Sequence, residues 1–310
     1  MNQEIDQGAE PARRHGITEG QGTVGGLRMC WLEAGPVDGP LAICQHGFPD
    51  TPWGWRWLLP ALAGAGFRAV APYARGYAPS EVPPSHISAL SGWVADICDL
   101  HDQLGGDHQG VIVGHDWGAM AAYGAAALAP ERWRAVVTAS VPPASVMGAR
   151  LLSFDQVKAF WYQYVFLQPT AEAIVSSNNL EFLERLWREW SPSFDPSAEI
   201  GRVKAALGSP ANLTAALGTY RSMYDLSLQP PELAEAAMAI LSPHPQPTLY
   251  LHGTDDGCVP NLDLSEVLGA LPAGSAVEAV EGAGHFLQYE APRRVTDLVI
   301  DFLSCSEGAP

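Results

Sequence analysis

The stretch Val111-Ile112-Val113-Gly114-His115-Asp116-Trp117-Gly118-Ala119 decides how this chain is read. An apolar β-branched run leads into a pentapeptide with glycine at both ends, and an alanine-rich run continues to Leu128. β-Branched residues favour strands and alanine favours helix, so the segment reads as strand, tight turn and helix with one reactive side chain at the tip. That is the form of a nucleophile elbow, whose strained bend needs small neighbours, here Gly114, Gly118 and Ala119. Most such elbows carry serine. This one carries aspartate.

The substitution narrows the chemistry. A serine hydroxyl needs a base before it can attack, and it suits acyl carbon. An aspartate, with a reference pKa of about 3.9, is ionised at neutral pH without help. At a helix N-terminus the dipole and free N–H groups favour the anion further. A ready carboxylate suits in-line displacement at a saturated carbon bearing a leaving group, which leaves an alkyl ester on the protein. A histidine and a water must then cleave that ester. The competing reading of Asp116 is a simple helix cap.

The missing parts follow in order. Leu249-Tyr250-Leu251-His252-Gly253 reads as a buried strand, followed by Thr254-Asp255-Asp256-Gly257-Cys258-Val259-Pro260. Gly282-Ala283-Gly284-His285-Phe286 comes next, then Pro292 and a final apolar helix from Val295 to Leu303. Nucleophile, acid after a strand, and histidine in a late loop is the chain order of the α/β-hydrolase triad. His285 is therefore the expected base. Asp256 is the expected orienting acid, with Asp255 as the alternative. Upstream, the strand Leu41-Ala42-Ile43-Cys44-Gln45 ends in His46-Gly47-Phe48-Pro49-Asp50, where this fold places its second oxyanion-hole amide. The first is the amide of Trp117. His46, Phe48 and Trp117 are thus the expected oxyanion-hole and substrate-binding positions.

The chain resembles the α/β-hydrolase superfamily, and within it the epoxide hydrolases and their dehalogenase relatives. The resemblance rests on His46-Gly47-Phe48-Pro49, Gly114-His115-Asp116-Trp117-Gly118 and Gly284-His285-Phe286, and it spans about Thr23 to Leu303. It implies a mostly parallel sheet with crossover helices and an inserted helical cap. One departure stands out: the family usually has an acidic residue ahead of its Arg-Gly turn, where this chain has Ala74-Arg75-Gly76.

The resemblance also implies two cap tyrosines that assist the departing oxygen. Tyr162 lies in a Tyr-Gln-x-x-Phe stretch and Tyr220 in a Tyr-Arg-x-Met stretch, both similar to the family's. Opening an epoxide expels an alkoxide, which benefits from a hydroxyl proton, whereas expelling halide needs only N–H donors. Tyr164 and Tyr224 are the alternatives for the role. Haloalkane dehalogenases commonly place asparagine where this chain has Phe48, and fluoroacetate dehalogenases carry arginines just after the nucleophile, where this chain has none. A haloalkane or haloacid dehalogenase is therefore the second expectation, and a non-enzymatic ligand receptor the third. The leading expectation is a cofactor-free, metal-free epoxide hydrolase acting on a small hydrophobic epoxide.

Composition sets the bounds. A chain of 310 residues with 47% hydrophobic residues suits a hydrolase core carrying an insertion. The expected division is a loosely attached N-terminus at 1–20, a core at 21–143 and 241–304, and a helical cap at 144–240. Within the cap, helices are expected over Phe154 to Leu167, Leu180 to Trp190, Ile200 to Leu207 and Asn212 to Tyr224. A net charge of −17 argues against nucleic acid and anionic membranes as partners. Oligomerisation is left open. Cys30, Cys44, Cys98, Cys258 and Cys305 are odd in number and lack metal-ligand spacing. With no charged-then-apolar leader, they suggest reduced core thiols in a cytoplasmic protein.

Overall fold

The computed structural model describes residues 16–305. Eight strands form one sheet: β1 (Thr18–Val24), β2 (Leu27–Ala34), β3 (Leu41–Gln45), β4 (Arg68–Pro72), β5 (Gly110–His115), β6 (Trp133–Ala139), β7 (Thr248–Gly253) and β8 (Ala276–Val280). Their spatial order is β1-β2-β4-β3-β5-β6-β7-β8. β2 runs antiparallel to both of its neighbours, and from β4 to β8 the pairing is parallel. The central strands are apolar throughout because helices cover both faces. Ile43, Val70, Ile112 and Val136 point into one core with the helices Leu90–Gln103 and Trp117–Leu128. Their neighbours Ala42, Ala69, Val111 and Ala135 point into a second core with Leu58–Gly64 and Pro292–Cys305.

Part of the segment expected to hang free is ordered. Thr18–Val24 pairs along its length with β2, so the edge strand begins before residue 20. The rest of that expectation, residues 1–15, lies outside the described residues.

Between β6 and β7 every regular element is helical. Ile200–Leu207 has the expected bounds. The helix expected over Phe154 to Leu167 is broken into Phe154–Ala159 and Trp161–Phe166, turning at Phe160. The span Ala171–Trp190 is two helices separated by a break at Ser177, Asn178, Asn179 and Leu180, the last three left-handed, so the helix expected over Leu180 to Trp190 forms just after that break and a second helix precedes it. Asparagine tolerates that conformation better than most residues, which is why the break falls there. This helical layer is tied to the sheet side through Asn212 Nδ2, which donates to the Gly76 carbonyl, and through the Trp187 indole, which donates to the Pro49 carbonyl.

All five cysteines are free. Cys44, Cys98 and Cys258 are buried, but Cys305 is exposed at the end of the last described helix, so it is no core thiol. Among the described residues no helix is long and apolar enough to cross a membrane, and no cluster of side chains has the makings of a metal site.

Candidate active site

The elbow forms as its sequence demands. β5 ends at His115, Asp116 adopts φ 53° and ψ −120°, and the helix starts at Trp117. Positive φ in a non-glycine residue is strained, and it is sustained only by close packing around it. That packing depends on glycine: a Cβ on Gly118 would collide with the Gln45 and His46 carbonyls, and one on Gly47 with the Asp116 side chain. Asp116 occupies the N-cap position yet its carboxylate makes no capping bond. It turns instead towards the turn after β3, where the Phe48 amide donates to Oδ1 at 2.7 Å. Trp117, first in its helix, has an amide that no helical carbonyl takes up. The Phe48 amide thus meets the carboxylate, and the Trp117 amide is the next along the chain from Asp116.

His46 does not join them. Its Nδ1 meets the Gly47 carbonyl at 2.8 Å and its Nε2 accepts from the Ala74 amide at 3.1 Å. Burial lowers its pKa to about 4, so it is a neutral ring that spends both nitrogens holding the turn. The sequence expectation that His46 helps form the hole is corrected by that pairing.

His285 lies between two carboxylates. Its Nδ1 meets Asp256 Oδ2 at 3.0 Å, and its Nε2 is 3.5 Å from Asp116 Oδ2. Burial would lower its pKa, but the charges of Asp256 and Asp116 outweigh burial and raise it to about 10. Asp256 Oδ1 accepts from the Cys258 and Val259 amides at 2.7 and 2.9 Å, which fixes the carboxylate. Burial pushes the Asp256 pKa up, yet His285 first, then His252 and the Val259 amide, hold it below the usual value. Asp255 is exposed, and its carboxylate accepts from the Thr254 hydroxyl. Of the two candidates, only Asp256 meets the ring.

The backbone of His285 is clamped by residues that sequence reasoning did not single out. The Ser140 hydroxyl and His115 Nε2 both contact the His285 carbonyl, at 2.7 and 2.8 Å, and the His285 amide donates to the Trp190 carbonyl at 3.0 Å. His115 sits inside the elbow motif and could have been found there. Ser140 and Trp190 carry no such signal.

Above Asp116 lies a cavity of about 160 Å³, lined by Trp117, Met120, Met147, Phe160, Tyr162, Gln163 and Cys258 among others. Among the described residues, Asp116 is the only charged one in the lining. Tyr162 and Tyr220 are both buried, with rings 5.9 Å apart, edge to face. Burial, and then nearby groups that include the Asp116 charge, raise both phenol pKa values well above normal, so both hydroxyls keep their protons. The Tyr220 hydroxyl has no completed hydrogen bond, although the Trp117 indole N–H faces it. Tyr164 is 46% exposed and lines no part of the cavity; Tyr224, also 46% exposed, does line it but spends its hydroxyl on Gln163 at 2.8 Å, whereas Tyr220 is outside the lining and packs edge to face on Trp117 and Phe48. Of the four tyrosines, Tyr162 and Tyr220 are the ones buried beside Asp116.

The chain and its fold have counterparts among known proteins. Epoxide hydrolase A of Mycobacterium tuberculosis is 29% identical over 313 residues, covering 90% of this chain and 95% of its own. The crystal structure of an epoxide hydrolase from Vigna radiata superposes with a TM-score of 0.75 at 29% identity, over 93% of this chain and 98% of its own. A haloalkane dehalogenase variant from Bradyrhizobium elkanii shares the fold, with a TM-score of 0.77 at 22% identity over 94% and 98% of the two chains. Over residues 40–292 the sequence matches the alpha/beta hydrolase fold family, and the chain belongs to that family.

Proposed function

We propose that the protein is an epoxide hydrolase that converts a small, hydrophobic epoxide to a vicinal diol through an ester on Asp116. Residues 21–143 and 241–304 act as the catalytic core, and 144–240 as the cap that closes over it. The observation that carries the reading is a pair of buried, protonated phenols near the carboxylate: Tyr162 lines an apolar cavity together with Asp116, and Tyr220, outside that lining, packs against Trp117 and Phe48 and feels the Asp116 charge. An alkoxide leaving group needs such donors and a halide does not.

In the first half-reaction Asp116 forms a bond to a ring carbon. The carbon–oxygen bond breaks, its electron pair moves to the epoxide oxygen, and that oxygen takes a tyrosine proton. The imidazolium of His285 restores the phenol through solvent and becomes neutral. In the second half-reaction His285 takes a proton from water, and the hydroxide attacks the Asp116 ester. The Phe48 and Trp117 amides hold the oxyanion. Collapse returns the carboxylate and the imidazolium and releases the diol, so charge and protons balance over the cycle.

One observation favours a second reading, a dehalogenase: the buried indole N–H of Trp117 completes no hydrogen bond and could receive a halide. A single turnover with enzyme in excess, in heavy-oxygen water, separates the possibilities. The diol should leave unlabelled and the label should enter the peptide carrying Asp116. Fully labelled diol in the first turnover would mean direct attack by water. Halide release from haloalkanes, with no reaction on epoxides, would establish the dehalogenase.

A further inference from the structure

Gln163 stands beside Tyr162 and lines the same cavity. Its amide oxygen accepts from the Tyr224 hydroxyl at 2.8 Å, and its amide nitrogen donates to the Tyr162 hydroxyl oxygen at 3.3 Å. Gln163 itself is buried, while Tyr224 reaches the surface. An amide whose oxygen is already engaged by a phenol O–H must turn its N–H₂ towards its other neighbour. The Tyr162 oxygen therefore receives a donor from Gln163, which leaves its own proton to point elsewhere. The remaining partner of that hydroxyl is Cys258 Sγ at 3.6 Å, a weak acceptor. Burial and the neighbouring Asp256 keep Cys258 a neutral thiol, so it holds the proton loosely.

On the basis of the epoxide-opening reading above, we propose that Gln163 is a positioning residue that, clamped by Tyr224, directs the Tyr162 proton into the cavity and donates to the phenol oxygen as that proton leaves. When the ring carbon–oxygen bond breaks, the epoxide oxygen takes the Tyr162 proton. Negative charge then grows on the phenol oxygen, where the Gln163 N–H already points. A hydrogen bond to a charged oxygen is worth more than one to a neutral oxygen, so the contact strengthens in the transition state. Tyr220 has no such amide. The two phenols are thus unequal: Tyr162 is the one set up to give its proton away, and Tyr220 the one that supplies a hydrogen bond.

The discriminating variant is Gln163→Glu, which preserves shape but replaces the donor with an acceptor once ionised. Ring opening of styrene oxide, followed by stopped-flow tryptophan fluorescence in single turnover, should slow about 10- to 100-fold at alkaline pH. It should recover as the pH falls and the carboxyl, protonated, becomes a donor again. The uncharged Gln163→Leu should lose less, with no such pH dependence. Both losses should vanish in a Tyr162→Phe background and persist in full beside Tyr220→Phe. Equal losses with and without Tyr162, or a wild-type rate in Gln163→Glu, would overturn the assignment. A second readout needs no turnover: 2-phenylacetamide, whose carbonyl can accept the Tyr162 proton, should bind the wild type and bind Gln163→Glu about tenfold more weakly at alkaline pH. If no epoxide is opened but this difference stands, the functional reading fails and the Gln163 assignment survives. Equal binding to both, or none to the wild type, sinks the assignment.

Discussion

The Nε2 atom of His285 stands 3.5 Å from Asp116 Oδ2, so the expected base and the expected nucleophile share one electrostatic site. Asp116 is one of two carboxylates that raise the His285 pKa to about 10 against the opposing effect of burial. At neutral pH the resting ring is an imidazolium, which cannot accept a proton from water. In the proposed cycle, alkylation would turn Asp116 into a neutral ester and remove one of the two charges. The His285 pKa would then fall, and a base would become available at the stage that requires one.

That coupling can be measured directly. Asp116→Asn replaces the carboxylate with a neutral group of the same shape, as the ester does. NMR titration of the His285 ring should show its pKa lowered from the wild-type value of about 10. The sign carries over to stability. A folded pKa above the unfolded value of about 6.5 contributes stability that is full below that value and is lost as pH rises through the folded pKa. Wild-type stability should therefore decline over the window from about 6.5 to about 10, and the decline should shrink in Asp116→Asn. An unchanged His285 pKa in the variant would refute the coupling.

The two half-reactions should separate by mutation. Asp116→Ala should abolish turnover. His285→Gln should still be alkylated by an epoxide but fail to hydrolyse the ester. Intact-protein mass spectrometry of His285→Gln should then record a mass increase equal to that of the epoxide, located on the peptide that carries Asp116. Substrate binding without any adduct would argue that water attacks the epoxide itself.

The buried phenols should matter to ring opening and not to ester hydrolysis. Tyr162→Phe or Tyr220→Phe alone should slow adduct formation about 100- to 10,000-fold, the scale of a general-acid contribution. The double variant should nearly stop it. Decay of an adduct already formed should be little changed. A double variant that opens epoxides at the wild-type rate would remove both residues from the mechanism.

Much of this site is legible in the sequence because its signals are local. A β-branched run, two glycines and an alanine-rich run specify strand, bend and helix within a few residues, and only a nucleophile or a cap belongs at the tip of that bend. The triad order survives for the same reason, since each member closes a strand or loop with its own short signature. The choice between Asp256 and Asp255 falls to the fold, where the Cys258 and Val259 amides and the His285 ring all meet Asp256.

Where a side chain faces was decided by contacts between segments far apart in the chain. His46 reads as a site residue, yet the Ala74 amide at the end of β4 occupies its ring nitrogen and makes it structural. Tyr162 and Tyr164 are two residues apart on one helix, and Tyr220 and Tyr224 share another. Sequence periodicity cannot rank the members of either pair. Packing of the two helices against each other and over Trp117 buries Tyr162 and Tyr220 and leaves the other two half exposed. Helical patterning specifies that a helix forms and roughly which stripe is apolar. The rotation that buries Tyr162 and leaves Tyr164 half exposed comes from tertiary packing, because it depends on the shape of what the helix lies against.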